Sequence, residues 1–274
     1  MILDGPLGTE LEARGVPTPL PGWSAHALET HPEVVAEIHR DYAAAGATVH
    51  TTNTFRTRPS VFGDRWSDLA RQAVRLTRDA VPASHRVAGS IAPLEDCYRP
   101  DLSPADTDPD SVRAQHGALA RVLAEEGCDI LLVETFPHLV EARIALEEAV
   151  ATGVETWISW TPGPNGDLLT VEQVEQAAAQ AINLGARGML VNCLPVQSAL
   201  SFVETLLRAR AAHEVAVGAY ANTGCVDDTT GWTTNPIDPG RYAEFARTWL
   251  SAGATIVGGC CGTGPNVTTA LRSN

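Results

Sequence analysis

The sequence predicts a single (β/α)8 barrel over residues 1–274. Three observations lead to it: a glycine that recurs ahead of four short β-rich runs, an amphipathic helical pattern ahead of each of those glycines, and four more strand–helix alternations between them. The recurring starts are Gly46-Ala47 before residues 48–52, Gly127-Cys128 before 129–133, Gly185-Ala186 before 187–191, and Gly253-Ala254 before 255–259. Glycine at such a junction supplies the left-handed residue that closes a helix, and the runs after it read as strands. Apolar residues repeat on one face before each glycine: Val34, Val35, Ile38 and Tyr42; Val112, Leu119, Val122 and Leu123; Val174, Ala177, Ala178, Ala181 and Ile182; Tyr242, Phe245, Ala246 and Trp249. Start signals stand where these helices need them: Pro32 in a first turn, Asp108-Pro109, Thr170 with Gln173, and Asp238-Pro239. The intervening strands are expected at 2–4, 86–90, 155–160 and 215–219, with helices at about 64–81, 137–151, 196–211 and 265–271. Strands alternating with helices pair in parallel, and eight such units in one domain-sized chain match a closed barrel. An open doubly wound sheet is the alternative, but no glycine-rich phosphate loop follows the first strand.

Composition narrows the partners. Hydrophobic residues make up 44% and charged residues 19%, an ordinary globular balance. No apolar run approaches the roughly 18 residues of a membrane span, and the start, Met1-Ile2-Leu3-Asp4-Gly5, shows no secretory signal, so a cytoplasmic location is expected. The formal net charge is −14 and all 19 basic residues are arginine. So acidic a surface repels phosphate backbones and anionic lipid, which makes nucleic acid and membranes poor partners. Small molecules are the expected partners. A homo-oligomer is left open, since no helical stripe reads as a subunit face. The cysteines, Cys97, Cys128, Cys193, Cys225, Cys260 and Cys261, are too sparse for a disulfide scaffold and stand as thiols, for metal or for the core.

Counting from the recurring glycines brings the chemistry together. Asn53, Glu134, Asn192 and Cys260 each lie seven positions after their glycine, with Cys193 and Cys261 next in line. Equal offsets put these residues at one height, just past the C-terminal ends of alternate strands, the face where barrel enzymes carry their sites. Emergence into solvent accounts for Asn53 but not for three cysteines. Cys193, Cys260 and Cys261 converging there can bind Zn2+ with one tetrahedral position open. A tris-thiolate zinc carries net charge −1. It is a weak Lewis acid for water but suited to binding a further thiol and keeping its sulfur electron-rich. Cys128, inside a repeat, reads as a core residue; Cys97 and Cys225 lie on loops and are not expected to ligate.

The residues resemble the homocysteine S-methyltransferases along the whole chain. The matches are Asp4-Gly5 with Gly8-Thr9, Trp23-Ser24-Ala25, Thr52-Asn53-Thr54-Phe55, Gly89-Ser90-Ile91-Ala92-Pro93, Glu134-Thr135-Phe136, Asn192-Cys193, Tyr220-Ala221-Asn222-Thr223-Gly224, and Gly258-Gly259-Cys260-Cys261-Gly262-Thr263. The last, paired with Asn-Cys at a distance, is the specific one. The resemblance implies a barrel with zinc held by Cys193, Cys260 and Cys261. It also implies Asp4 and Glu134 on the ammonium of the amino-acid substrate, backbone N–H groups near Gly5 on its carboxylate, and Asn222 in the open metal position before substrate arrives. Asn53 and Ser90 are carried with the substrate residues by their matching motifs. Ala221 replaces the family's usual proline, and the acidic segment 94–106 has no assigned role. The residue-level reading agrees, because a zwitterionic amino acid needs an anionic partner for its ammonium.

The expected reaction is therefore methylation of homocysteine to methionine. The chain has no room for a folate or cobalamin domain, which favours a small cationic donor, S-methylmethionine or S-adenosylmethionine ahead of betaine. A methyl-corrinoid on a separate protein and a related thiol acceptor stay open. Aromatic faces bind such cations, and Trp23 is the first candidate on the donor side, with Trp160 and Trp232 behind it. Two other classes compete. Zinc hydrolysis would use histidine ligands, and only His50 stands near a strand end. A non-catalytic zinc- or thiol-binding barrel would hold metal without turnover.

Overall fold

The computed structural model describes the chain except residues 212, 228–230, 235, 236 and 274, and the side chains of 224–227 and 231–234. Seven strands form one parallel sheet: β1 (Val49–Thr51), β2 (Arg86–Ile91), β3 (Ile130–Phe136), β4 (Thr156–Trp160), β5 (Gly188–Pro195), β6 (Ala216–Asn222) and β9 (Ile256–Gly259). The two edges do not stay open. Ile2 pairs with Val257 and Leu3 with Val49, both parallel, and the Leu3 and Asp4 amides donate to Val257 and Val49 carbonyls at 2.9 and 3.0 Å. Residues 2–4 thus act as the expected first strand and close the sheet, removing its edges. A hairpin absent from the sequence expectation, β7 (Gly224–Asp227) with β8 (Gly231–Thr234), follows β6.

The helices are α1 (Leu7–Ala13), α2 (Ala27–Thr30), α3 (Pro32–Ala45), α4 (Pro59–Phe62), α5 (Trp66–Ala80), α6 (Pro109–Glu125), α7 (Leu139–Val150), α8 (Val171–Leu184), α9 (Ala199–Arg210), α10 (Pro239–Ala252) and α11 (Pro265–Arg272). The eight long ones match the eight expected. Gly46, Gly185 and Gly253 cap α3, α8 and α10 in the left-handed region, with φ between 108° and 118°. Asp108 and Asp238 cap α6 and α10 through backbone N–H groups, and Thr170 with Gln173 forms a full capping box.

Strand periodicity divides the core in two. Inward positions, including Leu3, Val49, Ala88, Ile130, Leu132, Trp157, Leu190, Tyr220 and Ile256, fill the barrel and carry Cys193, Cys260 and Cys261 in the same cluster. Outward positions such as Val87, Leu131, Ile158, Met189 and Val217 pack against the helices. Cys128 is buried in that outer layer, as its place in a repeat predicts. Trp160 is also there, lining a groove between α7 and α8; a donor-side role for it is corrected to packing. No helix among the described residues is long and apolar enough to cross a membrane.

Candidate active site and metal centre

Two strands break their ladder where the chemistry begins. The β3–β4 register shifts between Val133 and Phe136, and the β5–β6 register between Asn192 and Pro195. Inside the bulges Thr135 and Cys193 hold φ of 64° and 52°, a left-handed conformation costly for residues with a Cβ. Bulges at a barrel rim re-aim side chains, and here they do so next to Glu134 and at Cys193. Asn192 locks the arrangement: it donates to Thr135 Oγ1 and accepts from Ser159 Oγ, both at 2.7 Å.

Cys260 and Cys261 follow β9 in a tight turn. The Thr263 amide and hydroxyl both donate to the Cys260 carbonyl, at 3.0 and 2.8 Å. The Cys260 amide donates to Ala221 O at 2.8 Å and the Thr223 amide to Cys261 O at 3.1 Å, tying the turn to β6. Gly259 is required for this closeness, since a Cβ there would lie 2.3 Å from Thr263 Oγ1. Tyr242 buttresses the pair from α10: its hydroxyl accepts from the Ala221 amide at 2.9 Å and donates to Gly258 O at 2.7 Å.

The three sulfurs meet. Their Sγ atoms lie within 4.8 Å of one another, Cys193 and Cys260 at 2.7 Å, and all three residues are buried free thiols. Zn–S bonds of about 2.3 Å in a tetrahedron set sulfurs about 3.8 Å apart; three soft donors within 4.8 Å are within reach of one such ion, with Cys193 and Cys260 parting by about an ångström around it. Electrostatics agrees. Contacts with Cys260 and Cys261, then burial, hold the Cys193 thiol well above its ordinary value. A cation among thiols so crowded favours their thiolate forms. Beside them, Asn222 is 1% exposed and neither its Oδ1 nor its Nδ2 has a hydrogen-bond partner. A buried amide left unpaired costs about 1–3 kcal/mol, a cost that a metal or a ligand at the open position removes.

Two carboxylates are buried in the same barrel mouth. Glu134 is held at both oxygens, by Ser90 Oγ–H on Oε1 and Tyr220 O–H on Oε2 at 2.9 Å. Asp4 Oδ2 accepts the Thr51 amide at 3.0 Å. Burial raises the Glu134 carboxyl against those hydrogen bonds, with Cys261 adding to the rise. Burial raises Asp4 well above the carboxylate range, the Thr51 hydrogen bond opposing and the charge of Glu134 adding. Two such groups are favourably ionised together when a cation joins them.

The remaining predicted residues sort by position. Gly5 packs on Tyr42, whose hydroxyl a Cβ would meet at 2.4 Å. Asn53 donates to Ser24 O at 2.9 Å, which anchors the turn Trp23–His26, while its Oδ1 stays buried without a partner. Trp23 covers Gly8 on α1 and meets Phe55 edge-on at 5.9 Å. The neighbouring Thr9 accepts from the Gly262 amide at 3.2 Å, so Trp23 belongs to the rim beside the cysteine turn. The side chains of Trp232 and Cys225 lie outside the described residues. Cys97 is not part of the sulfur group, and burial pushes its thiol up to about 12.

Sequence reasoning missed Tyr220 as the partner of Glu134 and Tyr98 as the residue of segment 94–106 that packs against the cysteine cluster. The Tyr220-Ala221-Asn222 motif offered a signal for the first; an aromatic in a loop gave none for the second.

The family model described as homocysteine S-methyltransferase matches residues 1–274. Curated relatives carry that name: a protein of Escherichia coli K12 is 28% identical over 100% of this chain and 94% of its own length. One of Bacillus subtilis 168 is 30% identical over 97% and 91%, and one of Zea mays 29% identical over 98% and 92%. Among solved structures, the oxidised form of the Escherichia coli homocysteine methyltransferase MmuM aligns with a TM-score of 0.80 at 26% identity, covering 100% of this chain and 95% of that one. Its metallated form aligns with a TM-score of 0.80 at 24% identity, over 99% and 96%. With its match running the length of the chain and its three cysteines gathered at the barrel mouth, the protein belongs to the homocysteine S-methyltransferase family.

Proposed function

We propose that this chain transfers a methyl group from a small sulfonium donor, S-methylmethionine or S-adenosylmethionine, to the thiol of homocysteine, forming methionine with zinc as its metal. One observation carries the reading: three buried thiols, an unpaired Asn222 amide and two buried carboxylates share one barrel mouth. Zn2+, when bound by Cys193, Cys260 and Cys261, supplies the positive charge that lets an acceptor thiol give up its proton near neutral pH.

The chain's own residues do the rest. Asp4 and Glu134 accept N–H from the acceptor's ammonium, and Ser90 and Tyr220 hold Glu134 in the orientation that this needs. Backbone N–H groups near Gly5 take the acceptor's carboxylate. Asn222, buried with both side-chain amide atoms unpartnered, would be the residue to hold the open position of such a metal before the acceptor binds. The acceptor sulfur then bonds to the methyl carbon as the donor's sulfur–methyl bond breaks. The electron pair leaves with the donor sulfur, which departs as a neutral thioether, and the thiol proton goes to solvent. The protein supplies in-line positioning and a dry site. Tyr98, packed against the thiols, and Trp23 on the rim supply the ring faces that a cationic methyl group prefers.

The test is a donor panel. Zinc-loaded protein with homocysteine and S-methylmethionine, S-adenosylmethionine, betaine, a dimethylsulfonium acid or methylcobalamin is assayed for methionine by mass. Methionine from a sulfonium supports the reading. Methionine from betaine or methylcobalamin alone overturns the donor assignment, and none from any donor overturns the acceptor chemistry.

A further inference from the structure

A second cluster of metal-ligating side chains lies outside the cysteine centre, in the seam where residues 2–4 close the barrel. His39 is on α3 and His50 on β1, both fully buried. The Nδ1 atoms of both lie 3.8 Å from Asp4 Oδ2, and neither Nδ1 has a hydrogen-bond partner. The three residues offer ligand atoms within 4.8 Å of one another.

Hydrogen bonding at the far side of the rings says what the near side offers. The Thr77 hydroxyl lies 2.9 Å from the Ala73 carbonyl one turn back on α5 and 3.0 Å from His39 Nε2. Thr77 has one proton, and the Ala73 carbonyl takes it. His39 Nε2–H therefore donates to Thr77, and Nδ1 carries a bare lone pair aimed at Asp4. His50 Nε2 faces His85 Nδ1 at 3.0 Å, so its ring too is oriented from outside. Burial, with His50 opposite, pushes His39 down to about 3; burial and His85 push His50 down to about 4, the Ala47 carbonyl opposing. Both rings are neutral at physiological pH. The result is two buried ring nitrogens without a hydrogen-bond partner, each facing Asp4 Oδ2 across 3.8 Å, an arrangement that buried polar groups avoid.

We propose that Asp4, His39 and His50 form a second metal site, in which a divalent first-row cation sits between Asp4 Oδ2 and the two Nδ1 atoms. A triangle with these sides has a point within about 2.5 Å of every corner, and inward shifts of a few tenths of an ångström reach ordinary Zn–N and Zn–O lengths of about 2.0–2.2 Å. Two imidazoles and one carboxylate are borderline donors that suit Zn2+, Co2+ or Fe2+ rather than Mg2+ or Ca2+. Ring nitrogens anchored by outer hydrogen bonds while their partners face inward are the usual surroundings of metal-bound histidine. The site joins the closing residues, β1 and α3, where two bridge pairs alone complete the sheet. Its place is therefore a staple of the barrel seam, and it fixes the carboxylate that the proposed function sets on the substrate.

Metal counting on the full-length protein tests this without reference to turnover. After Zn2+ or Co2+ loading and desalting, the expected content is two equivalents per chain, falling to one in His39→Gln and in His50→Gln. The triple variant Cys193→Ser, Cys260→Ser, Cys261→Ser should keep one Co2+, whose spectrum shows d–d bands but no thiolate-to-cobalt charge transfer. That variant leaves the histidine cluster intact, so it answers the question even where a histidine variant fails to fold. One equivalent in the unaltered protein, abolished with the three cysteines, overturns the proposal; so does a second equivalent that both histidine variants retain. Loss of the cysteine site alone leaves this proposal standing and refutes the reading of the first centre.

Discussion

Glu134 owes its orientation to two hydroxyls on different strands, and that makes Tyr220 a sensitive probe. Tyr220→Phe removes the donor to Oε2 and keeps the ring that fills the barrel. A hydrogen bond to a charged group is worth about 1.5–3 kcal/mol, so KM for homocysteine should rise by roughly ten- to hundredfold with kcat little changed. An equal fall in kcat would show that Tyr220 acts on the reacting sulfur instead. Cys193→Ser should lower zinc affinity by at least about 100-fold, read by competition with a chelator, because an oxygen replaces a soft thiolate donor in a three-ligand site. Cysteine positions were legible because each sits at a fixed offset from a helix-capping glycine, and strand register converts that offset into height. Tyr220 and His39 were not. Their partners are 86 residues away in the first case and on a different element in the second, and such pairings exist only once the barrel closes.

The segment between β2 and α6 shows how one element covers a site without regular structure. Residues Pro100–Leu102 and Pro104–Asp106 form two short 3-10 turns, and Tyr98 turns inward to the cysteine cluster. Glu141 on α7 anchors it: Oε1 accepts the Leu94 amide at 2.8 Å and faces His116 Nε2 at 3.2 Å, and Oε2 accepts from Ser103 Oγ. Burial raises this carboxyl, but hydrogen bonds from His116, Ser103 and the Leu94 amide outweigh it, and the group sits below its ordinary 4.5. A depressed carboxyl contributes stability that is complete above its unfolded value and is lost as pH falls through the folded one. Glu141→Gln should therefore cost about 1–3 kcal/mol at pH 7, and the gap to the parent protein should narrow as pH drops below about 4.5, as melting temperatures across pH 3–8 would record. A gap that is constant with pH would refute the charge's part in it. This anchor had no signature in sequence. The eight long helices were readable from periodicity and caps, whereas α1 is seven residues long, too short to show a repeat.

At the scale of the whole molecule the three-cysteine cluster joins parts that the core already holds. Cys193 lies in the bulge near the end of β5 and the Cys260-Cys261 pair follows β9, with β6 between them. The inner cluster of Leu3, Ile130, Leu132, Trp157, Leu190 and Ile256 includes the three cysteines among its members, and most of its apolar area comes from the other side chains. The eight-unit barrel was legible because that packing repeats with the strand–helix period; its closure through residues 2 and 3 rests on two bridges, fewer than any sequence rule would specify. Removing the zinc proposed for this cluster should then loosen one end of the barrel and leave its body intact. A ligand that binds only the folded state adds RT ln(1 + [L]/Kd), about 2.7–4.1 kcal/mol at 100–1,000 times Kd. In a chain of this size each kcal/mol is worth roughly 2–4 °C. Chelation should lower the melting temperature by about 5–15 °C with far-ultraviolet circular dichroism at 25 °C unchanged, and added zinc should restore it. Loss of secondary structure on chelation would show instead that the thiolate centre organises the barrel itself; no shift in melting temperature would show that the three thiols hold no ion.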